Sequence, residues 1–185
     1  ALRAGKLVAF PTETVYGLGA DGFNEEACRA VYAAKGRPSD NPLILHIADM
    51  SALRDIAEDI PEAAVDLAEA FWPGPLTLVL KKRRNVSSVV SGGLDTVAVR
   101  MPDNDPARRL IRALGHPLAG PSANLSGHPS PTLAAHVEHD FGDHIAGVVD
   151  GGPCRVGVES TIVDLTVQPY AILRPGGIPR EKIEA

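Results

Sequence analysis

The chain has 185 residues, enough for one domain with a sizeable core. Hydrophobic residues make up 44% and charged residues 22%, which excludes a disordered chain, and a net charge of −5 argues against holding nucleic acid by bulk electrostatics. Two cysteines, Cys28 and Cys154, are too few for a disulfide framework and read as reduced thiols in a cytoplasmic setting, while no apolar run reaches the ~18 residues of a membrane-spanning helix.

The opening Ala1-Leu2-Arg3-Ala4-Gly5 reads as the end of a helix and not as a signal peptide. Lys6 to Phe10 predicts a short buried strand, followed by the polar turn Pro11-Thr12-Glu13-Thr14. Asn24 is a helix N-cap with Glu25 and Glu26 in the first turn, where the helix dipole favours acids. Ala27, Ala30, Val31 and Ala34 give that helix an apolar stripe, and Gly36 and Pro38 end it. Leu43 to Ile47 is the next strand. Ser51 caps a short helix, and Pro61 opens another that runs to about Trp72.

Pro73-Gly74-Pro75 breaks that helix, and Leu76 to Leu80 is a strand. Lys81-Lys82-Arg83-Arg84 reads as a solvated loop. Thr96 to Met101 is a strand. Asp105-Pro106 opens a helix that Gly115 closes. Thr132 caps a helix to about Phe141. Short strands are expected at Ala146 to Val149, Thr161 to Leu165 and Ala171 to Leu173. Helices and strands interleave, but several strands follow one another directly. A mixed parallel and antiparallel sheet with helices on its faces fits that order better than a purely parallel one.

Gly17 to Gly22 matches the dinucleotide fingerprint G-x-G-x-x-G. Two features weaken it. Pro11 to Tyr16 separates the preceding strand from the first glycine, and the next acid after a strand, Asp49, lies beyond the ~20-residue spacing of such sites. The other reading is that the glycines serve turns and close packing.

Lys35 to Pro42 is more informative. Two cations, Lys35 and Arg37, sit at a helix C-terminus before a proline-stiffened loop that carries Asn41. Lys35 alone could serve the helix dipole. Arg37 and Asn41 on a stiff loop suit phosphate oxygens better. Arg100 lies in an apolar strand, so it faces either solvent or a cleft where it needs an anionic partner. Arg174, at the end of the last strand, poses the same question. Ser122-Ala123-Asn124 and Glu159-Ser160-Thr161 place hydroxyl and amide groups at strand ends, a composition also common in plain turns.

His46 is either a bonded core histidine or part of a site wall. His136, His139 and His144 do not make a convincing zinc set, and no nucleophile elbow or triad is present.

Read together, PTETVYGLGADGF from Pro11, KGRPSDNPLILHI from Lys35, FWPGPLTLVL from Phe71 and TVAVRMPD from Thr96 resemble the YrdC-type threonylcarbamoyl-AMP synthases. So do GPSANLSGHPSPT from Gly120, VDGGPCRVGVESTIVDL from Val149 and ILRPGGI from Ile172. The resemblance covers nearly the whole chain, in order. It implies an α/β fold, a twisted mixed sheet flanked by helices with a deep concave site. Over residues 1–185 it implies a single catalytic domain, the short form of the family.

The implied reaction condenses L-threonine, bicarbonate and ATP, with Mg²⁺, to threonylcarbamoyl-AMP and pyrophosphate. A separate transferase complex would then modify adenosine 37 of tRNA. The resemblance assigns Thr14, His46, Arg100 and Ser160 to threonine. It assigns Lys35, Arg37, Asn41, Thr96, Ser122, Asn124, Ser130 and Arg174 to ATP. No protein nucleophile is needed, because such chemistry runs on positioning and charge stabilisation, chiefly by Lys35 and Arg37. Glu13 and Glu159 are candidates for the Mg²⁺, whose ligands the sequence does not name.

Two other readings remain at this point: a carbamoyl-transfer domain of related fold, and a non-catalytic RNA-binding module. The acidic balance and few aromatics count against the second. Arg37→Ala is expected to impair nucleotide use and Arg100→Ala threonine use, both with folding intact.

Overall fold

Eight short strands form one mixed sheet in the computed structural model, which describes residues 1–185. They are β1 (Val8–Phe10), β2 (Gly17–Asp21), β3 (Ile44–His46), β4 (Leu76–Lys81), β5 (Thr96–Arg100), β6 (Leu118–Gly120), β7 (Thr161–Asp164) and β8 (Ala171–Arg174). Their order across the sheet is β1-β2-β6-β3-β5-β4-β7-β8. Only β3 with β5 and β4 with β7 run parallel. The other neighbours are antiparallel. The mixed sheet read from the element order is therefore present.

The helices are α1 (Glu25–Lys35), α2 (Leu53–Ile56), α3 (Glu62–Phe71), α4 (Ser88–Ser91), α5 (Asp105–Leu114), α6 (Ala134–Phe141) and α7 (Arg180–Ile183). Caps explain several boundaries. The Asn24 side chain accepts from the Ala27 N–H at 3.0 Å, and Asn104 accepts from the Ala107 N–H at 3.0 Å. Gly36 ends α1 in the left-handed region, φ 62°, which costs glycine nothing.

Strand alternation separates two faces. On one, Leu45, Leu76, Leu78, Leu80, Val97, Val99 and Val163 pack with Ala27 and Val31 of α1 and Ala64 and Ala68 of α3. Fully burying a Leu or Val in such a core contributes about 1.5–3 kcal/mol. On the other face, Phe10 and Leu118 meet Ala107, Ile111 and Leu114 of α5 in a smaller apolar cluster. That cluster covers only one end of the face. The rest of it is the floor of the cavity described below.

The Gly17–Asp21 run is the fully buried strand β2, which favours the close-packing reading of its glycines over the dinucleotide fingerprint. A Cβ at Gly17 would lie 2.5 Å from the Phe10 ring, and one at Gly19 would lie 2.9 Å from the Val8 carbonyl, so these glycines serve close strand packing. Ala146 to Val149 forms one isolated bridge, Val148 beside Ala9, instead of a strand. Asp49 and not Ser51 stands at the start of the 3₁₀ turn Met50–Ala52. Helix α6 begins after Leu133, one residue later than a Thr132 cap would give. The loop Lys81 to Arg84 is at the surface, where Lys81 pairs with Glu58 at 3.1 Å and Asp59 at 2.7 Å.

Candidate active site

Alternate residues of the central strands build the floor of a cavity of about 360 Å³. Ile44 and His46 face it from β3, Thr96, Ala98 and Arg100 from β5, Val79 from β4, and Ile162 and Asp164 from β7. The period of two that buries Leu45, Val97 and Val99 on the helix side puts their neighbours here. Loops complete the walls: Thr12 to Gly17, Arg37 to Pro42, Gly120 to Ser122, and Glu159 with Ser160. The volume lies in the range of small-molecule sites.

At one end the polar groups are almost fully committed. Arg100, 4% exposed, pairs with Glu13, donates through Nε to the Gly74 carbonyl at 3.2 Å, and donates through Nη1 to Thr14 Oγ1 at 3.0 Å. Three of its five N–H groups are used, which leaves one on each terminal nitrogen. Thr12 Oγ1 donates to the Val15 carbonyl at 2.6 Å, so in the 2.9 Å pair with Thr14 the proton belongs to Thr14. Thr14 Oγ1 therefore faces the cavity as an acceptor.

His46 Nδ1 lies 3.2 Å from the Leu118 carbonyl, which can only accept, so Nδ1 carries the proton and Nε2 is a second acceptor. Burial first, and the Arg100 charge next, push the imidazole down to about 3, so it stays neutral. Its ring meets Phe10 edge-on at 5.1 Å. Ser160 Oγ shares a 2.7 Å hydrogen bond with Thr77 Oγ1.

A second group of cations borders the cavity. Arg174 donates to the Ser160 carbonyl at 3.0 and 3.1 Å and to its hydroxyl at 3.2 Å, and it pairs with Glu159 at 2.7 Å. Arg37 is held only by the carbonyls of Asn41 (3.4 Å) and Pro42 (3.2 Å) and forms no salt bridge with a protein carboxylate. Arg37, Asn41, Thr96, Ser122 and Arg174 all line the cavity, as do Thr14, His46, Arg100 and Ser160.

Three candidates stand behind the wall. The Lys35 ammonium, 3% exposed, donates to the Ser122 carbonyl at 2.5 Å and to that of Asn124. Burial and the Arg37 charge push it down to about 8. It ties the end of α1 to the Ser122 loop, whereas its sequence position alone pointed to phosphate or the helix dipole. Asn124 donates to the carbonyls of Leu125 at 2.9 Å and His128 at 2.8 Å, shaping that same loop. Ser130 donates to Glu159 at 2.9 Å and so reaches Arg174 at one remove.

Sequence reasoning missed the apolar and acidic floor: Ile44, Val79, Ala98, Ile162 and Asp164, with Leu94 and Leu173 at the edge. The signal for Ile44, Ala98 and Ile162 was available, since each stands two places from a candidate residue that lines the cavity: His46, Thr96 and Arg100, and Ser160.

Comparisons with known proteins identify relatives of the chain and of its fold. Threonylcarbamoyl-AMP synthase of Pyrococcus abyssi is 58% identical over 99% of this chain and 54% of its own length. The enzyme of that name from Bacillus subtilis is 57% identical over 100% of this chain and 54% of its own. The chain thus spans about half the length of these relatives. The structure of P. abyssi Sua5 complexed with L-threonine superposes with a TM-score of 0.98 at 58% identity, covering 99% of this chain and 54% of that one. The Sua5/YciO/YrdC family model, described as telomere recombination, matches residues 1–176. With a match of that extent, and with the cavity built from the same segments that carry the sequence resemblance, the chain is a member of the Sua5/YciO/YrdC family.

Proposed function

We propose that this chain carries threonylcarbamoyl-AMP synthase activity, joining L-threonine, bicarbonate and ATP. The observation that carries the reading is the pattern of donors and acceptors around Arg100. Two free guanidinium N–H groups suit a carboxylate, while Thr14 Oγ1 and the neutral His46 Nε2 suit an ammonium. That is the complement of an α-amino acid. Arg37 and Arg174 on the bordering walls supply the charge that a triphosphate needs.

In this reading the threonine ammonium first gives one proton to solvent, the free amine attacks the carbon of bicarbonate, and hydroxide departs as water with a second proton from the nitrogen. A carbamate oxygen then attacks the α-phosphorus of ATP. The bond from that phosphorus to the bridging oxygen breaks, and pyrophosphate carries away the electron pair. Arg100, Thr14, His46 and Ser160 fix the amino acid. Arg37, Asn41, Ser122, Thr96 and Arg174 hold the nucleotide. Lys35, Asn124 and Ser130 act through the loops they brace. The walls also limit water, which matters because carbamates and mixed anhydrides hydrolyse readily.

The chain has no group of three or more His, Cys, Asp or Glu side chains that could cage a metal. Glu159, a carboxylate of the cavity wall, would hold a Mg²⁺ carried on the triphosphate by sharing the oxygens that now face Arg174 and Ser130. Such an ion, when bound, would supply positive charge against that of the leaving pyrophosphate. Glu13 pairs with Arg100 and does not line the cavity, so it is poorly placed for that role. The adenylate product would pass to a separate transferase acting on tRNA. No helix is long and apolar enough to cross a membrane.

The test is a reaction with ATP, Mg²⁺, bicarbonate and L-threonine, read as pyrophosphate and as the adenylate by mass spectrometry. Omission of threonine or of bicarbonate is expected to abolish both products. Turnover of carbamoyl phosphate without any need for threonine would overturn the reading.

A further inference from the structure

The register of the sheet sorts the cavity floor into rows. Ile44 pairs with Ala98, Ala98 with Val79, and Val79 with Asp164. Paired residues point to the same side of a sheet, so these four form one row across it. All four line the cavity. The neighbouring row holds His46 beside Arg100, and Ile162 beside Arg174. The polar row suits an amino acid and phosphates. The other row is an apolar shelf of three side chains, with Leu94 and Leu173 at the cavity edge, and it ends in a carboxylate.

Nothing in the amino-acid or phosphate chemistry uses that carboxylate. Its orientation is nevertheless fixed. Asp164 Oδ1 accepts from the Thr166 N–H at 2.8 Å and from the Thr166 hydroxyl at 2.6 Å. Oδ2 takes no donor from the protein, and the side chain is half-buried. An acceptor held rigidly at the end of a flat apolar surface is a device for reading an edge of a ring. The ring bears a donor there if it bears an exocyclic amino group.

Resting on the nucleotide site proposed above, we propose that Asp164 is a specificity-determining residue for the nucleobase. The base lies on Ile44, Ala98 and Val79, and Oδ2 of Asp164 accepts from the 6-amino group of adenine. A base with a carbonyl at that position presents an acceptor to a carboxylate and is disfavoured. A hydrogen bond to a charged group is worth about 1.5–3 kcal/mol, or roughly 10- to 100-fold in affinity.

The test uses calorimetric binding to this protein of two nucleotides with Mg²⁺: ATP, and purine riboside triphosphate, which differs only in lacking the 6-amino group. The expected result is that the protein binds ATP tenfold or more tightly over the analogue. Asp164→Asn keeps Oδ1 for the Thr166 turn but places an NH₂ donor where Oδ2 was. In that variant the preference for ATP is expected to fall below about twofold or to invert.

Equal binding of both nucleotides by the unsubstituted protein overturns the assignment of Asp164 while leaving the nucleotide site standing. A variant that keeps the full preference for ATP overturns it too, as does one that weakens both nucleotides equally. Failure of the unsubstituted protein to bind either nucleotide overturns the nucleotide site and this inference together.

Discussion

Arg100 and Glu13 form a buried pair, and that changes what a substitution at Arg100 does. Removing one partner of such a pair leaves an uncompensated charge, at a cost of about 3–5 kcal/mol. The expectation that Arg100→Ala leaves folding intact is therefore corrected: thermal unfolding of that variant should show a large loss. Arg37 has only carbonyl partners, so Arg37→Ala should weaken ATP binding tenfold or more, while stability changes by under about 1 kcal/mol. Titration calorimetry and a melting curve check both halves. At His46 the folded group is held neutral down to about 3, whereas the unfolded imidazole protonates near its ordinary value of 6.5. The unfolded state thus binds more protons between these values. This residue's contribution to stability is complete above pH 6.5 and falls as pH drops toward 3, by at most about 1.4 kcal/mol per pH unit. Denaturant titrations of the protein and of His46→Gln should differ in slope over that window. The cations were legible in the sequence because a charge in an apolar strand or a stiff loop demands a partner. The protonation of His46 was not, because its partner is the carbonyl of Leu118, distant in the chain.

At the scale of elements, the glycine-rich segments act as packing surfaces. A Cβ at Gly120, the last residue of β6, would stand 2.6 Å from the Leu18 carbonyl oxygen on β2, a backbone atom that cannot swing away. Gly120→Ala should cost about 1–3 kcal/mol by overpacking, measured by chemical denaturation. An unchanged midpoint would show that the strands separate more easily than the register implies. Lys35 joins α1 to the Ser122 loop, so Lys35→Met should lower both the melting temperature and ATP affinity. A loss of affinity with no change in melting temperature would return Lys35 to direct phosphate contact. Helix α1 was legible because Asn24, the two glutamates and Gly36 mark its ends. The four-residue helix α4 was not, since a single turn leaves no periodic signal. Close packing at Gly17–Asp21 was legible but its strand was not, because glycine carries little strand propensity, and the reason for the glycines is the Phe10 ring on the neighbouring strand.

At the scale of the whole molecule, the cavity exists because β3, β5, β4 and β7 lie side by side while loops from both ends of the chain close over them. The strand order was not legible. Inserting β6 between β2 and β3 depends on pairings between residues far apart in sequence, and local pattern carries no record of them. The set of segments that meet at the cavity was legible, through their resemblance to one family. A ligand that binds only the folded chain should stabilise it by about 2.7 kcal/mol at a hundredfold excess over its Kd. ATP with Mg²⁺ and L-threonine should each raise the melting temperature. In the proposed function one cavity holds an amino acid beside a polyphosphate. A crystal structure with L-threonine and a non-hydrolysable ATP analogue tests it most directly. The expected result has the threonine carboxylate on Arg100, its nitrogen facing Thr14 and His46, and the phosphates between Arg37 and Arg174. Threonine bound away from Arg100, or a nucleotide seated outside this cavity, would contradict it.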